Sequence, residues 1–583
     1  MPTLTSSLSL RRPTSLWSAI LAIIPWLTAA LFLLPIIVGL LGTWLPAFGY
    51  FPALNEHSLS LTPWRQWLAY PGVNSSTVKT LISGLGASFL ALAMLLLILI
   101  GLYPSRLFQK IEKALSPVLS VPHAAFAIGL GFLIAPSGWL LRLVHEATGW
   151  VARPPVWSLF QDPYGFSLAV TLALKELPFL LFMSLAVLPS LKVHRTLWLM
   201  RGMGYSRRAT WLWMLWPQLY RQIRLPFFAV VAYSLTVVDL ALIAGPTTPP
   251  TLSVLITRLF NDPDLSLRTV GAAGATALFL GVLLILWALR IVEKPLAWWR
   301  NRTLRRGRQI TRHTCPERPI AILLVSITGL LYLLGLVVTT LWSLTLRWRY
   351  PDWLPESTSL RAWSRITGRI EDPLWCTLQL AGLASLIAIV LVILALENEV
   401  RLKQMNRPVN TRRVLWLLYL PLVVPQVAFI FGFQVSLIGL RWDGTFPALL
   451  WSHLVFVLPY VFLTLSGPYR RFDERYAWVA RTLSSGPFTA YWRVKFPMLL
   501  RPILYAVATG FAVSIAQYLP TLFVGAGRFS TLTTEAVAMA TGSDRRMMAV
   551  MALWQQSLPL VMFALATLIP ALYFRNRREM MQN

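Results

Sequence analysis

The chain is divided into apolar runs that each approach the length needed to cross a bilayer. They fall at about 17–41, 78–103, 117–141, 166–189, 226–245, 269–292, 319–346, 374–398, 414–440, 447–468, 503–525 and 547–574. A helix crosses about 30 Å of hydrocarbon with about 20 apolar residues. Backbone polar groups inside lipid have no water to bond to, so spanning segments close their own hydrogen bonds as helices. The runs therefore predict an all-α polytopic membrane protein with about 12 transmembrane helices. Composition agrees: 56% of residues are hydrophobic and 13% are charged, against about 25% charged in an average soluble domain.

The net charge of +30 raises the question of a nucleic-acid partner. The basic residues lie between apolar spans rather than along one amphipathic face, so the pattern reads as membrane topology and not as a nucleic-acid footprint. With the N-terminus inside, about 35 of the 52 Lys and Arg fall in cytoplasmic loops and about 14 outside, which predicts both termini in the cytoplasm. Arg11 and Arg12 precede the first run, which is longer than the core of about 7–15 residues in a signal peptide. That run is expected to stay attached as the first membrane helix. Cys315 and Cys376 have neither disulfide context nor metal-ligand spacing.

Two stretches about 280 residues apart share their punctuation. Trp198–Ile223 reads WLMRGMGYSRRATWLWMLWPQLYRQI, and Trp478–Ile503 reads WVARTLSSGPFTAYWRVKFPMLLRPI. Without gaps, Trp198 aligns with Trp478, Arg201 with Arg481, Pro217 with Pro497, Leu219 with Leu499 and Arg221 with Arg501. Leu177-Pro178 and Leu458-Pro459 stand upstream at nearly equal distance. The repeat divides the chain into two six-helix halves of the same orientation, residues 1–292 and 319–583. A basic cytoplasmic linker, 293–318, joins them. Same-orientation halves are parallel repeats about an axis along the membrane normal.

Each repeated stretch reads as two short helices at an angle. In the first, Gly204 suits a left-handed helix end and Ser206 can cap the next helix, which is expected to run to Pro217. In the second, Asp473 and Glu474 open a short helix where the dipole favours anions. Ser484-Ser485-Gly486 then breaks it, Pro487 suits the first position of the next helix, and Pro497 is expected to interrupt that one.

The spacing of thirteen residues from break to proline, Gly204 to Pro217 and Ser484 to Pro497, resembles the cytoplasmic "EAA" loop of permease subunits in binding-protein-dependent ABC importers. The segment SLTVVDLALIAGPTTPPTL, 234–252, resembles the stretch that follows the loop in that family. Trp198 and Trp478 stand where the family has glutamate, and Ser484 stands where it has glycine. The resemblance implies a fused double permease of the ferric-iron and thiamine importer type with the type I importer fold. It implies two ATPase subunits docked on the loops at Trp198, Arg201, Gly204, Pro217, Trp478, Arg481, Ser484 and Pro497, and a periplasmic binding protein that delivers a small solute. It places the chain in a bacterial inner membrane. ATP and Mg are then expected on the partner ATPases, and no cofactor on this chain.

Ionisable groups inside a membrane usually face a cavity or a partner. Asp239 in the fifth run and Gln517 in the matching region of the eleventh are the candidates for lining a translocation path. Glu176, beside Lys175 in the fourth run, is a third. Adjacent residues on a helix do not face each other, so Lys175 and Glu176 are expected to have separate partners. His453 reads as a packed histidine. No G-x-x-x-x-G-K-[ST] phosphate loop, H-E-x-x-H or G-x-S-x-G occurs, and no carboxylate pair faces a soluble region, so the chain is not expected to be an enzyme. The rival readings are a twelve-helix secondary transporter coupled through Glu176 or Asp239, and a membrane enzyme acting on lipid-linked substrates.

Overall fold

A computed structural model describes residues 16–306, 316–406, 419–483, 487–542 and 544–575. Ser484 and Cys315 lie outside the described residues. The first stretch contains α1 (Leu16–Ala47), α2 (Val73–Leu102), α3 (Arg106–Ser120), α4 (His123–Ile134), α5 (Phe166–Val187), α6 (Val193–Gly202), α7 (Trp216–Thr236), α8 (Asp239–Ala244), α9 (Leu252–Phe260) and α10 (Leu267–Arg305). The second contains α11 (Glu317–Ser343), α12 (Arg361–Gln404), α13 (Gln426–Gly439), α14 (Phe446–Arg471), α15 (Glu474–Leu483), α16 (Leu500–Ile515), α17 (Leu519–Val524), α18 (Leu532–Ala540) and α19 (Arg545–Tyr573). A short hairpin, β1 (Thr345–Arg347) with β2 (Ser357–Thr358), follows α11. The molecule is an all-α polytopic membrane protein.

Among the described residues, nine helices are long and apolar enough to cross a membrane. A tenth span is bent by 66° between Tyr491–Met498 and α16. Pro502 lies in the first turn of α16, where its ring excludes the carbonyl four residues back at Met498, and the helix breaks there. The fifth and eleventh runs are each split in two, α7 from α8 and α16 from α17. The ninth is represented by α13, preceded by residues outside the described set. Lipid takes the place of water around the bundle: Ile23, Trp26, Leu284, Trp287, Leu323 and Trp375 all project outward.

Helix α10 runs past the expected boundary at 292 and through Pro295 to Arg305, so the first half of the expected linker is helical. Contacts with α7 and with the turn just before it hold it. Glu293 accepts hydrogen bonds from Tyr220 (3.3 Å) and Arg224 (3.2 Å), and the rings of Trp213 and Trp299 lie 5.4 Å apart. Pro217 also behaves differently from expectation. It does not end a helix but sits at the start of α7, directly after a π-helical turn, Trp211–Leu215. The wider turn moves the preceding carbonyls away from the ring, so the helix continues into the span.

The first helix of each stretch packs on the other stretch. Helix α1 lies against α13, α10 and α12, while α11 lies against α4, α19 and α2. In lipid there is no hydrophobic force between helices, so such pairs depend on small residues that let backbones approach. Gly39 and Gly42 of α1 meet Gly432 of α13 so closely that a β-carbon on Gly432 would stand 2.0 Å from the Gly39 carbonyl oxygen. Thr43 Oγ1 donates to that carbonyl (2.9 Å) and accepts from the Gly432 amide (3.1 Å). The matched crossing places Gly335 and Thr339 of α11 against Gly129 of α4, and Thr339 Oγ1 donates to the Gly335 carbonyl at 2.7 Å.

The halves repeat finer contacts as well. The Leu252 amide donates to Thr80 Oγ1 (2.8 Å), and the Leu532 amide donates to Thr377 Oγ1 (3.0 Å). Ser253 Oγ donates to the carbonyl of Val237 (2.7 Å), and Thr533 Oγ1 donates to that of Ile515, next to the α7–α8 and α16–α17 breaks.

The two glycine crossings differ in tightness: a β-carbon on Gly335 would meet its nearest neighbour at an ordinary 3.5 Å. Gly432→Ala should cost about 1–3 kcal/mol through overpacking, whereas Gly335→Ala, which meets only ordinary contacts, should be neutral or stabilising by up to about 1 kcal/mol. Thermal unfolding of the two purified variants in detergent checks this, and equal midpoints would contradict it.

Candidate functional site

Two features stand out against the lipid-facing bundle: a polar cluster inside it, and the matched loops at the ends of α5 and α14.

The cluster starts from a break shared by both halves. Val121-Pro122-His123 separates α3 from α4, and Val424-Pro425-Gln426 opens α13. Proline at these positions stops the chain from continuing as α-helix from the preceding residue. His123 and Gln426 are therefore delivered at helix starts inside the bundle. His123 Nε2 lies 3.7 Å from Glu176 Oε1 of α5, too far for a hydrogen bond but close enough for charge interaction. Its ring packs beside Tyr233 at 5.3 Å. Asp239 is the buried first residue of α8, which packs on α4 and α5, the helices that carry His123 and Glu176. On the other side Gln426 Nε2 contacts Gln517 Oε1 at 3.4 Å, and Gln517 Nε2 donates to the Val513 carbonyl at 3.2 Å.

The sequence candidates thus fall into two neighbouring groups. Glu176 meets His123, Asp239 stands on the short helix packed against both their helices, and Gln517 meets Gln426. Lys175 turns away from this group and donates its Nζ hydrogen to the Val121 carbonyl at the α3–α4 break. Lys175 and Glu176 do have separate partners. His453 is packed, with Nδ1 2.9 Å from Ser514 Oγ and Nε2 3.1 Å from Thr521 Oγ1, and so bridges α16 and α17 across their break. Sequence reasoning missed His123 and Gln426. The signal was present in the repeated Val-Pro pair 303 residues apart.

The loops share a backbone plan. Helix α6 ends at Gly202, and Gly204 follows with φ +86°, the left-handed conformation that glycine adopts without strain. Ser206 Oγ then accepts from the Ala209 amide (3.2 Å) and caps the next turn. In the second copy, helix α15 plays the part of α6. Both copies then pass through a π-helical turn, Trp211–Leu215 and Tyr491–Lys495, with Pro217 and Pro497 two residues beyond. Single π-helical turns of this kind are frequent at functional sites. Sequence reasoning did not find them, because no residue pattern marks a π-turn. Trp198 and Trp478 are 76% and 52% exposed, and Arg201 and Arg481 are exposed beside them. Exposed tryptophans flanked by arginines are the composition of a protein-binding surface.

No family model matches the chain. It is 34% identical over 521 residues to the inner membrane ABC transporter permease protein YnjC of Escherichia coli strain K12, an alignment covering 88% of this chain and 92% of that protein. It is also 29% identical over 160 residues to the molybdenum transport system permease protein ModB of Mycobacterium bovis and to that of Mycobacterium tuberculosis, covering 26% of this chain and 59% of each relative. These relatives are transport components, and they disfavour the ion-coupled secondary transporter. The apolar helices, the interior polar cluster and the similarity along nearly the whole length agree: the chain belongs to the inner-membrane ABC transporter permeases and is the multi-pass permease component of an importer.

Proposed function

We propose that this chain is a fused double permease of the ferric-iron and thiamine importer type. One polypeptide supplies both halves of the membrane path, 1–292 and 319–583, joined within 293–318. Two ATPase subunits grip the loops carrying Trp198, Arg201, Gly204 and Pro217 in one half and Trp478, Arg481, Ser484 and Pro497 in the other. A periplasmic binding protein delivers a small solute to the opposite face. Both termini lie in the cytoplasm, as the distribution of Lys and Arg supports. ATP and Mg are bound and consumed on the partner subunits.

The observation that carries this reading is the pair of matched loops, each with exposed Trp and Arg followed by a π-turn. Two equivalent surfaces on one chain fit two copies of one partner. Closure of the ATPases around nucleotide draws the loops together, and the bundle changes which face is open. The free energy comes from the difference in affinity of the ATPases for the two arrangements. Asp239, Glu176 and Gln517, with His123 and Gln426, line the path between the halves. Asp239 and Gln517 stand beside the α7–α8 and α16–α17 breaks, which supports this reading.

Two measurements test this. Purified from its native membrane, the chain should carry two ATPase copies. Gly204→Val, which forces a β-branched residue to φ +86°, should reduce stimulation of ATP hydrolysis by the loaded binding protein by about tenfold, a coupling change within the usual range. An isolated chain that moves solute down an ion gradient without any ATPase would defeat the reading. Asp239→Asn should leave the bound ATPase in place while lowering the same stimulation, since the residue lies inside the bundle and away from both loops. Loss of the ATPase from that variant would place Asp239 in assembly instead.

A further inference from the structure

Both loops carry a π-helical turn and differ in the chemistry that ties each to a membrane span. Glu397 of α12 stands twenty residues beyond Thr377, as Ile100 of α2 stands twenty beyond Thr80, and those two threonines make the same contact in each half. At the α2 position, Arg207 of the first loop donates from Nε to the Ile100 carbonyl and from Nη2 to the Tyr103 carbonyl at 2.6 Å. At the α12 position, Lys495 of the second loop places Nζ 2.7 Å from Glu397 Oε1 and 2.8 Å from Glu474 Oε1 of α15. The same ammonium lies 4.7 Å from the Tyr469 ring centre and 5.5 Å from that of Phe472, and the Tyr469 hydroxyl donates to Glu397. Lys495 is 2% exposed.

Unrelated side chains thus tie both loops to the same place on matched spans. Stability alone does not call for the ionic version. The residue at the Lys495 position in the first loop is Leu215, also fully buried, and apolar packing is generally at least as stable as a buried ion pair. A buried charge network adds directional connection. Lys495 joins the first helix of its loop, the π-turn and the end of a membrane span through one nitrogen atom.

We propose that Lys495 is a positioning residue that carries movement of the second loop into α12, and that Arg207 does the same between the first loop and α2. The proposal rests on the reading that ATPases grip these loops. With Lys495 in place, displacement of α15 drags the end of α12 through Glu474 and Glu397. Without it, α15 moves and α12 lags.

The test uses the whole complex with its ATPases, with both native cysteines replaced by serine and spin labels at Ser75→Cys and Arg365→Cys, exposed positions near the starts of α2 and α12. The separation is measured by pulsed electron resonance without nucleotide and with Mg-ATP and vanadate. Lys495→Leu, which installs the first-loop residue, should keep the ATPase bound and hydrolysing while the nucleotide-driven change in separation falls to about half, because α2 still moves through Arg207. Lys495→Arg should restore it. Should Lys495→Leu fail to accumulate, the triple neutral variant Lys495→Met, Glu397→Gln, Glu474→Gln removes the buried charges together. It should fold and show the same loss. A full nucleotide response in Lys495→Leu or in the triple variant, with ATPase bound, overturns this proposal alone. A wild-type complex that holds no ATPase overturns the docking reading and the proposal with it.

Discussion

The close crossing of α1 with α13, and its counterpart α11 with α4, is the contact on which the rest of the architecture depends. Lipid supplies no hydrophobic drive for one helix to leave its own half and pack on the other. Glycine supplies the approach distance, and Thr43 adds hydrogen bonds that bind both backbones at the contact. Through these crossings each stretch holds the other, and the start of α4 and the start of α13 are brought to face the interior. The polar cluster follows from that placement.

Inside this frame the chain breaks its helices beside buried polar groups. The α3–α4, α7–α8 and α16–α17 interruptions expose backbone groups in the bundle interior, and side chains satisfy some of them: Lys175 takes the Val121 carbonyl, Ser253 takes that of Val237 and Thr533 takes that of Ile515. Irregular backbone at this depth is tolerated where protein surrounds it. His453 clamps one such break from a neighbouring helix.

Much of the fold was legible. Apolar runs of spanning length have one stable outcome in lipid, and the positions of nearly all the helices follow from them. The loop repeat was legible because Trp, Arg, Leu and Pro recur at fixed spacing. Its details were not. Pro217 reads as a helix stop, yet a π-turn lets the helix pass, and nothing local distinguishes a stop from an absorbed proline. The basic stretch after 292 lacks apolar periodicity, yet α10 continues through it because Glu293 finds partners on α7 and Trp299 finds one on the π-turn before it. Asp239, Gln517 and Glu176 were visible as polar residues in apolar runs. His123 meets Glu176 although 53 residues separate them in the sequence.

From the amino-acid order alone came the membrane as solvent, the helical class, the recurring loop pattern and the permease family, because these depend on composition and spacing along one dimension. The folded molecule alone decided which half each first helix embraces, which polar residues share an interior site, and that one loop is tied to its span by an ammonium while the other is tied by a guanidinium on carbonyls. Those outcomes depend on distances between residues far apart in the chain. Only packing in three dimensions sets such distances.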